Sequence, residues 1–127
     1  MGKRKPCILI IDNDDAIATA LELRLGSLGY QCILVSDGQQ GLEVFSMGGI
    51  DLVITDLNMP GIDGPEVIQT LRQNSRVPII AITGYSREYR RDMELLDVVV
   101  LRKPFPISAI IDLVEAELIM NGKPAAI

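Results

Sequence analysis

The residues equipped for chemistry follow short apolar runs. Asp12-Asn13-Asp14-Asp15 comes directly after residues 7–11, Asp56 shortly after residues 52–54, Thr83 directly after residues 78–82 and Lys103 shortly after residues 98–101. The available groups are thus carboxylates, one amide, one hydroxyl and one ammonium. Carboxylates crowded at ~4 Å repel by about 4 kcal/mol per pair at an effective dielectric of about 20, so something positive is expected among them. A hard divalent cation such as Mg2+ takes one or two carboxylates, a carbonyl and several waters, and leaves room for phosphate oxygens. Lys103 adds a point charge suited to meeting a phosphate. The pattern suggests metal-assisted phosphoryl chemistry with a carboxylate as the covalent nucleophile.

Composition narrows the field. The chain has 127 residues, 17 acidic against 12 basic side chains for a net charge of −5, two cysteines and no histidine. Without an imidazole, a Ser-His-Asp triad, a histidine metal site and a phosphohistidine carrier are all excluded. The acidic balance argues against a nucleic-acid surface. Only Lys3-Arg4-Lys5 is locally basic, and the apolar run behind it is short and ends in acids, unlike a secretory signal. No run approaches the roughly 20 apolar residues of a membrane span. The expectation is a cytoplasmic protein that binds neither nucleic acid nor membrane. Cys7 and Cys32 sit inside apolar runs and are expected to be buried free thiols.

Positioning such groups requires a scaffold. Residues 7–11, 32–35, 52–54, 78–82 and 98–101 are continuous apolar runs, as suits parallel strands covered on both faces. Helical stripes lie between and after them: Ile17, Leu21, Leu25 and Leu28, closed by Gly29; Leu42 and Phe45 behind Ser36-Asp37; Val67, Ile68 and Leu71 behind Pro65; Ile107, Ile110, Ile111, Val114 and Leu118, closed by Asn121-Gly122. Five alternations predict an α/β, flavodoxin-like, doubly wound parallel sheet of order 2-1-3-4-5 with five helices. A single domain spans residues 1–127, its core about 6–121 and its end, 122–127, a tail or the start of a linker. Ligands of such sheets bind beyond the carboxyl ends of the strands, and runs one, three, four and five become neighbours there.

Taken together, Asp12-Asn13, the stretch Asp51-Leu-Val-Ile-Thr-Asp56-Leu-Asn-Met-Pro60-Gly-Ile-Asp-Gly64, Thr83 and Lys103-Pro104-Phe105 resemble the response-regulator receiver domain of two-component signalling, in the style of the single-domain chemotaxis regulators. The similarity spans residues 7–120. It implies that Asp56 accepts a phosphoryl group from a phosphohistidine on a histidine kinase or phosphotransfer protein, and that output passes through protein contacts to a downstream protein. It also implies a Mg2+ ion held by Asp12, Asn13, Asp56 and the backbone carbonyl of Asn58. Thr83 would donate its hydroxyl to the phosphoryl group and Lys103 would pair with it. Met59-Pro60-Gly61 and Gly64 would shape the loop. Such a chain is not an enzyme in the ordinary sense, since it catalyses only its own phosphoryl transfer and dephosphorylation.

Three departures from the family pattern matter. Asn13 stands where the second acid is usual, which predicts weaker Mg2+ binding and less repulsion in the metal-free site; Asp14 is a stand-in ligand or, more simply, a helix cap. Val100 replaces the usual Tyr or Phe that turns inward as the hydroxyl residue closes on the phosphate. Tyr85, two residues after Thr83, is then the nearest aromatic, expected to shield the acyl phosphate. The segment from Thr83 to Lys103 is short, which predicts a short or poorly ordered fourth helix carrying Arg87, Arg90 and Arg91 on one face.

The competing readings are a flavin or nucleotide site and a degenerate receiver. The first needs phosphate-cradling amides after the first strand, where this chain has an acidic run. The second keeps the fold as a protein-interaction module and signals without phosphate. Asn13 and Val100 favour it, whereas Asp56, Thr83 and Lys103 oppose it.

Overall fold

The computed structural model describes residues 5–59, 64–84 and 86–122. Five strands, β1 (Cys7–Ile11), β2 (Gln31–Val35), β3 (Leu52–Asp56), β4 (Ile79–Thr83) and β5 (Val99–Arg102), alternate with five helices, α1 (Asp15–Ser27), α2 (Gly38–Ser46), α3 (Gly64–Asn74), α4 (Ser86–Leu95) and α5 (Ile107–Met120). The strands pair in parallel in the order β2-β1-β3-β4-β5, as the alternation predicts. The order reverses between β1 and β3, so the topological switch point lies at the ends of those two strands.

Alternate side chains of each strand face opposite layers. Ile8 and Ile10 of β1 and Ile80 and Ile82 of β4 pack with Leu21 and Leu25 of α1 and Ile110, Val114 and Leu118 of α5. Leu9, Ile11, Val53, Ile79 and Ala81 pack instead with Val67, Ile68 and Leu71 of α3 and Met93 of α4. Each fully buried Leu or Ile contributes roughly 1.5–3 kcal/mol of transfer free energy, which is why the register is well specified. Burial on both faces holds for β1, β3 and β4, whereas β2 and β5, at the sheet edges, are only partly covered.

Helix ends follow the local signals. Asp14 caps α1 and Asp37 caps α2. Gly29, at φ 101°, closes α1 in a Schellman turn: its N–H donates to Gly26 O and that of Tyr30 to Leu25 O. The fourth helix is ten residues long, one more than α2 but shorter than α1, α3 and α5, and a tight turn at Leu96 and Asp97 leads from it to β5. Arg91 is exposed, while the side chains of Arg87 and Arg90, like Tyr85, lie outside the described residues. Cys7 is buried and Cys32 half-buried, and neither forms a disulfide. Among the described residues no helix is long and apolar enough to cross a membrane.

Candidate functional site

Strand pairing carries the functional residues to the end of the ladder, Asp56 and Thr83 as its last members and Asp12 and Lys103 one residue beyond. The Asp12 N–H donates to Val35 O at 3.1 Å, Leu57 N–H to Ile82 O at 2.8 Å and Lys103 N–H to Thr83 O at 2.8 Å. Side chains from residues far apart in sequence are thereby fixed at one sheet edge.

Asp56 is the centre. Its residue is 3% exposed. Oδ1 accepts the Asn58 N–H at 2.7 Å and Oδ2 forms an ion pair with Lys103 Nζ at 2.8 Å. Burial would lower the Lys103 pKa, but the hydrogen bond to Asp56 and the charges of Asp56, Asp12 and Asp14 reverse this and hold the ammonium above its ordinary value. Thr83 is fully buried, and its hydroxyl donates to the side-chain oxygen of Asn58 at 3.1 Å.

Asp12 stands at the end of β1, 2% exposed. Oδ1 accepts the Asp14 N–H at 2.8 Å, while Oδ2 is buried with no hydrogen-bond partner. Burial pushes this carboxyl up to about 6, against the Asp14 amide, which lowers it, and with the charge of Asp56, which raises it further. An orphaned, desolvated carboxylate oxygen next to a second carboxylate fits a cation. Among the described residues no three acids, cysteines or histidines converge as a cage. Asp12 and Asp56 are instead the kind of donor pair that Mg2+ takes, since that ion is commonly held by one or two carboxylates and completes its octahedron with other oxygens. The exposed Asn13 brings no charge. Asp14 is engaged as a cap, its Oδ1 accepting the amides of Ala16 at 3.0 Å and Ile17 at 3.2 Å.

The loop after Asp56 is shaped by close approach. A Cβ on Gly64 would collide with the carbonyl oxygen of Asp56 and with Leu57 Cα, so only glycine lets α3 start against the backbone of the candidate acceptor. Met59 is buried; Pro60 and Gly61 lie outside the described residues. Val100 is half-buried against the α3 and α4 layer. Beside Lys103, an apolar groove of about 400 Å³ runs between Ala16, Ile17 and Ala20 of α1 and Pro104, Phe105 and Ile107.

The structure thus brings Asp12, Asp56, Thr83 and Lys103 to one edge and leaves Asn13 at the surface. Sequence reasoning assigned Asn58 only a backbone role and missed its side chain. The one signal available was an amide two residues after an acid at a strand end.

A family model describing the response regulator receiver domain matches residues 8–115. The chain belongs to the response-regulator receiver domain family. This receiver is similar to the response regulator TrrA of Thermotoga maritima, solved in complex with Mg2+-BeF: 32% identity, 89% of this chain and 99% of that one covered, TM-score 0.81. It is 43% identical over 83 residues to a probable transcriptional regulator, ycf27, of Porphyridium aerugineum, covering 65% of this chain and 35% of that protein. It is also 36% identical over 106 residues to the sensor histidine kinase RcsC of Salmonella typhi, covering 81% of this chain and 11% of the kinase. The receiver spans about a third or less of the length of these curated relatives. It is a module of two-component signalling, a family whose members typically act as signalling modules and not as enzymes.

Proposed function

We propose that this receiver takes a phosphoryl group onto Asp56 from a phosphohistidine of a histidine kinase or phosphotransfer protein and signals through protein contacts. A carboxylate oxygen of Asp56 attacks phosphorus, the bond from phosphorus to the imidazole nitrogen breaks, and the imidazole leaves and takes up a proton. Phosphoryl transfer asks little covalent chemistry of a protein; positioning and neutralisation of the equatorial oxygens carry it. The Asn58 N–H orients Asp56, Lys103 supplies an ammonium at the acceptor, and the Thr83 hydroxyl, at the end of the adjacent strand, would serve as a further donor. Asp12, Asp56 and the backbone carbonyl of Asn58, with Asn13 as a weak neutral contributor, would hold Mg2+. When bound, the ion supplies charge neutralisation between the carboxylates and the incoming phosphoryl oxygens. The groove of Ala16, Ile17, Ala20 and Phe105, opening beside Lys103, supports docking of an apolar helical face of the donor protein.

The observation that carries this reading is the pairing of Asp56 with Lys103 beside the orphaned oxygen of Asp12. Incubation with a small phosphodonor and Mg2+, followed by intact mass measurement, tests it. Wild type is expected to gain one phosphoryl group and Asp56→Ala none. No gain in either would instead support the degenerate receiver, the reading favoured by the neutral, exposed Asn13.

A further inference from the structure

Thr83 has one hydroxyl proton to donate, and in this structure it goes to Asn58 Oδ1 at 3.1 Å. Phosphorylation of Asp56, as proposed above, asks that same proton to meet a phosphoryl oxygen. The two acceptors exclude each other. Asn58 is doubly placed for this competition: its backbone N–H holds Asp56 Oδ1 at 2.7 Å, and its side chain reaches across from the β3–α3 loop to the end of β4, 25 residues on. We infer that the Asn58 side chain is a latch that holds the Thr83 hydroxyl in the unphosphorylated arrangement and sets how readily the receiver switches.

The physical chemistry favours a reversible latch over a structural strut. Thr83 is fully buried, so its hydroxyl needs a partner in every state, and Asn58 supplies one while the phosphoryl group is absent. Asn58 itself is exposed, so its amide is taken up by water when the bond is broken. A phosphoryl oxygen is charged, and hydrogen bonds to charged acceptors are roughly twice as strong as neutral ones. The exchange from Asn58 to phosphoryl therefore runs downhill, but only by the difference between the two bonds, and any loss of the first deepens the second. The Asn58 side chain is thus a positioning group: it acts through Thr83, while contact with the acceptor is made by the Asn58 backbone N–H, which a side-chain substitution keeps.

This inference rests on the phosphoreceiver reading, and its test separates the two. The probe is beryllium fluoride with Mg2+, a tetrahedral stand-in for a phosphoryl group, titrated calorimetrically into the full chain. Asn58→Ala keeps the backbone N–H and carbonyl and removes only the competing acceptor. It is expected to bind the probe about three- to tenfold more tightly than wild type, the worth of one net hydrogen bond. The gain should persist in a Thr83→Ser background, which keeps a hydroxyl, and vanish in Thr83→Ala, which has none. A strut would not show that dependence. Equal or weaker binding by Asn58→Ala, or a gain that survives in Thr83→Ala, overturns the latch while leaving the phosphoreceiver reading in place. Absence of probe binding in wild type, together with no phosphoryl gain by mass, overturns both.

Discussion

At the scale of single residues the site is a problem of unbalanced charge. Asp12 and Asp56 are both buried at the ends of neighbouring strands, and one ammonium, Lys103, is paired to one of them. A further acid at position 13 would deepen that imbalance, and the neutral Asn13 avoids it. Two carboxylates ~4 Å apart repel by about 4 kcal/mol at an effective dielectric of about 20, which is the order of the repulsion a further acid would add to the metal-free site. Asn13 is exposed, so solvent screens most of this. Asn13→Asp is accordingly expected to tighten Mg2+ about tenfold, not a thousandfold, and to lower the stability of the metal-free protein. Calorimetric titration of both proteins with Mg2+ checks this; equal affinities would remove Asn13 from the metal's surroundings.

At the scale of elements, two glycines make opposite predictions from the same substitution. Gly64 begins α3 against the backbone of Asp56 and Leu57, where an added Cβ meets atoms that have no rotamer to escape into. Gly64→Ala should lower stability by about 3 kcal/mol, the upper end of overpacking costs, and impair phosphoryl uptake by displacing the loop. Gly26, in the last turn of α1, has nothing within 4 Å of its would-be Cβ, so Gly26→Ala should raise stability by about 0.5–1 kcal/mol. Urea unfolding of the pair with wild type measures both; a mild Gly64→Ala would mean that the helix start shifts freely. The strands were legible in sequence as unbroken apolar runs, which burial on both faces explains in β1, β3 and β4, while β2 and β5 carry such runs though only partly covered; their order is the common solution for five alternations. The gathering of Asp12, Asp56, Thr83 and Lys103 was legible too, since each directly follows or ends its strand. The hydrogen bond of Asn58 to Thr83 was not legible, because it exists only once β3 and β4 lie side by side.

At the scale of the whole molecule the site lies across the sheet, so what binds there reports on the entire fold. Asp12 comes from the end of β1, Asp56 and Asn58 from the end of β3 and Lys103 from beyond β5, and the unfolded chain has no such convergence. A cation bound by these groups stabilises the native state by mass action, by about 2.7 kcal/mol at a hundredfold excess over its dissociation constant. Its pH dependence follows from Asp12. Burial pushes the folded carboxyl up to about 6 from its ordinary 3.8. Between those limits the native state keeps a proton that the unfolded state has lost, so the metal-free protein loses stability as the pH rises from about 4 to about 6, by at most roughly 3 kcal/mol. Mg2+ needs the deprotonated form, so its contribution runs the other way, full above about pH 7 and fading as the pH falls through 6. Thermal unfolding with excess Mg2+ or with a chelator should therefore give midpoints several degrees apart at pH 7.5 that merge at pH 5. In Asp12→Asn, which removes the orphaned oxygen's charge, the metal-free midpoint at pH 7.5 should rise and the Mg2+ increment should shrink. A Mg2+ increment of equal size in wild type and Asp12→Asn, or one that grows toward pH 5, would show that the ion binds away from Asp12.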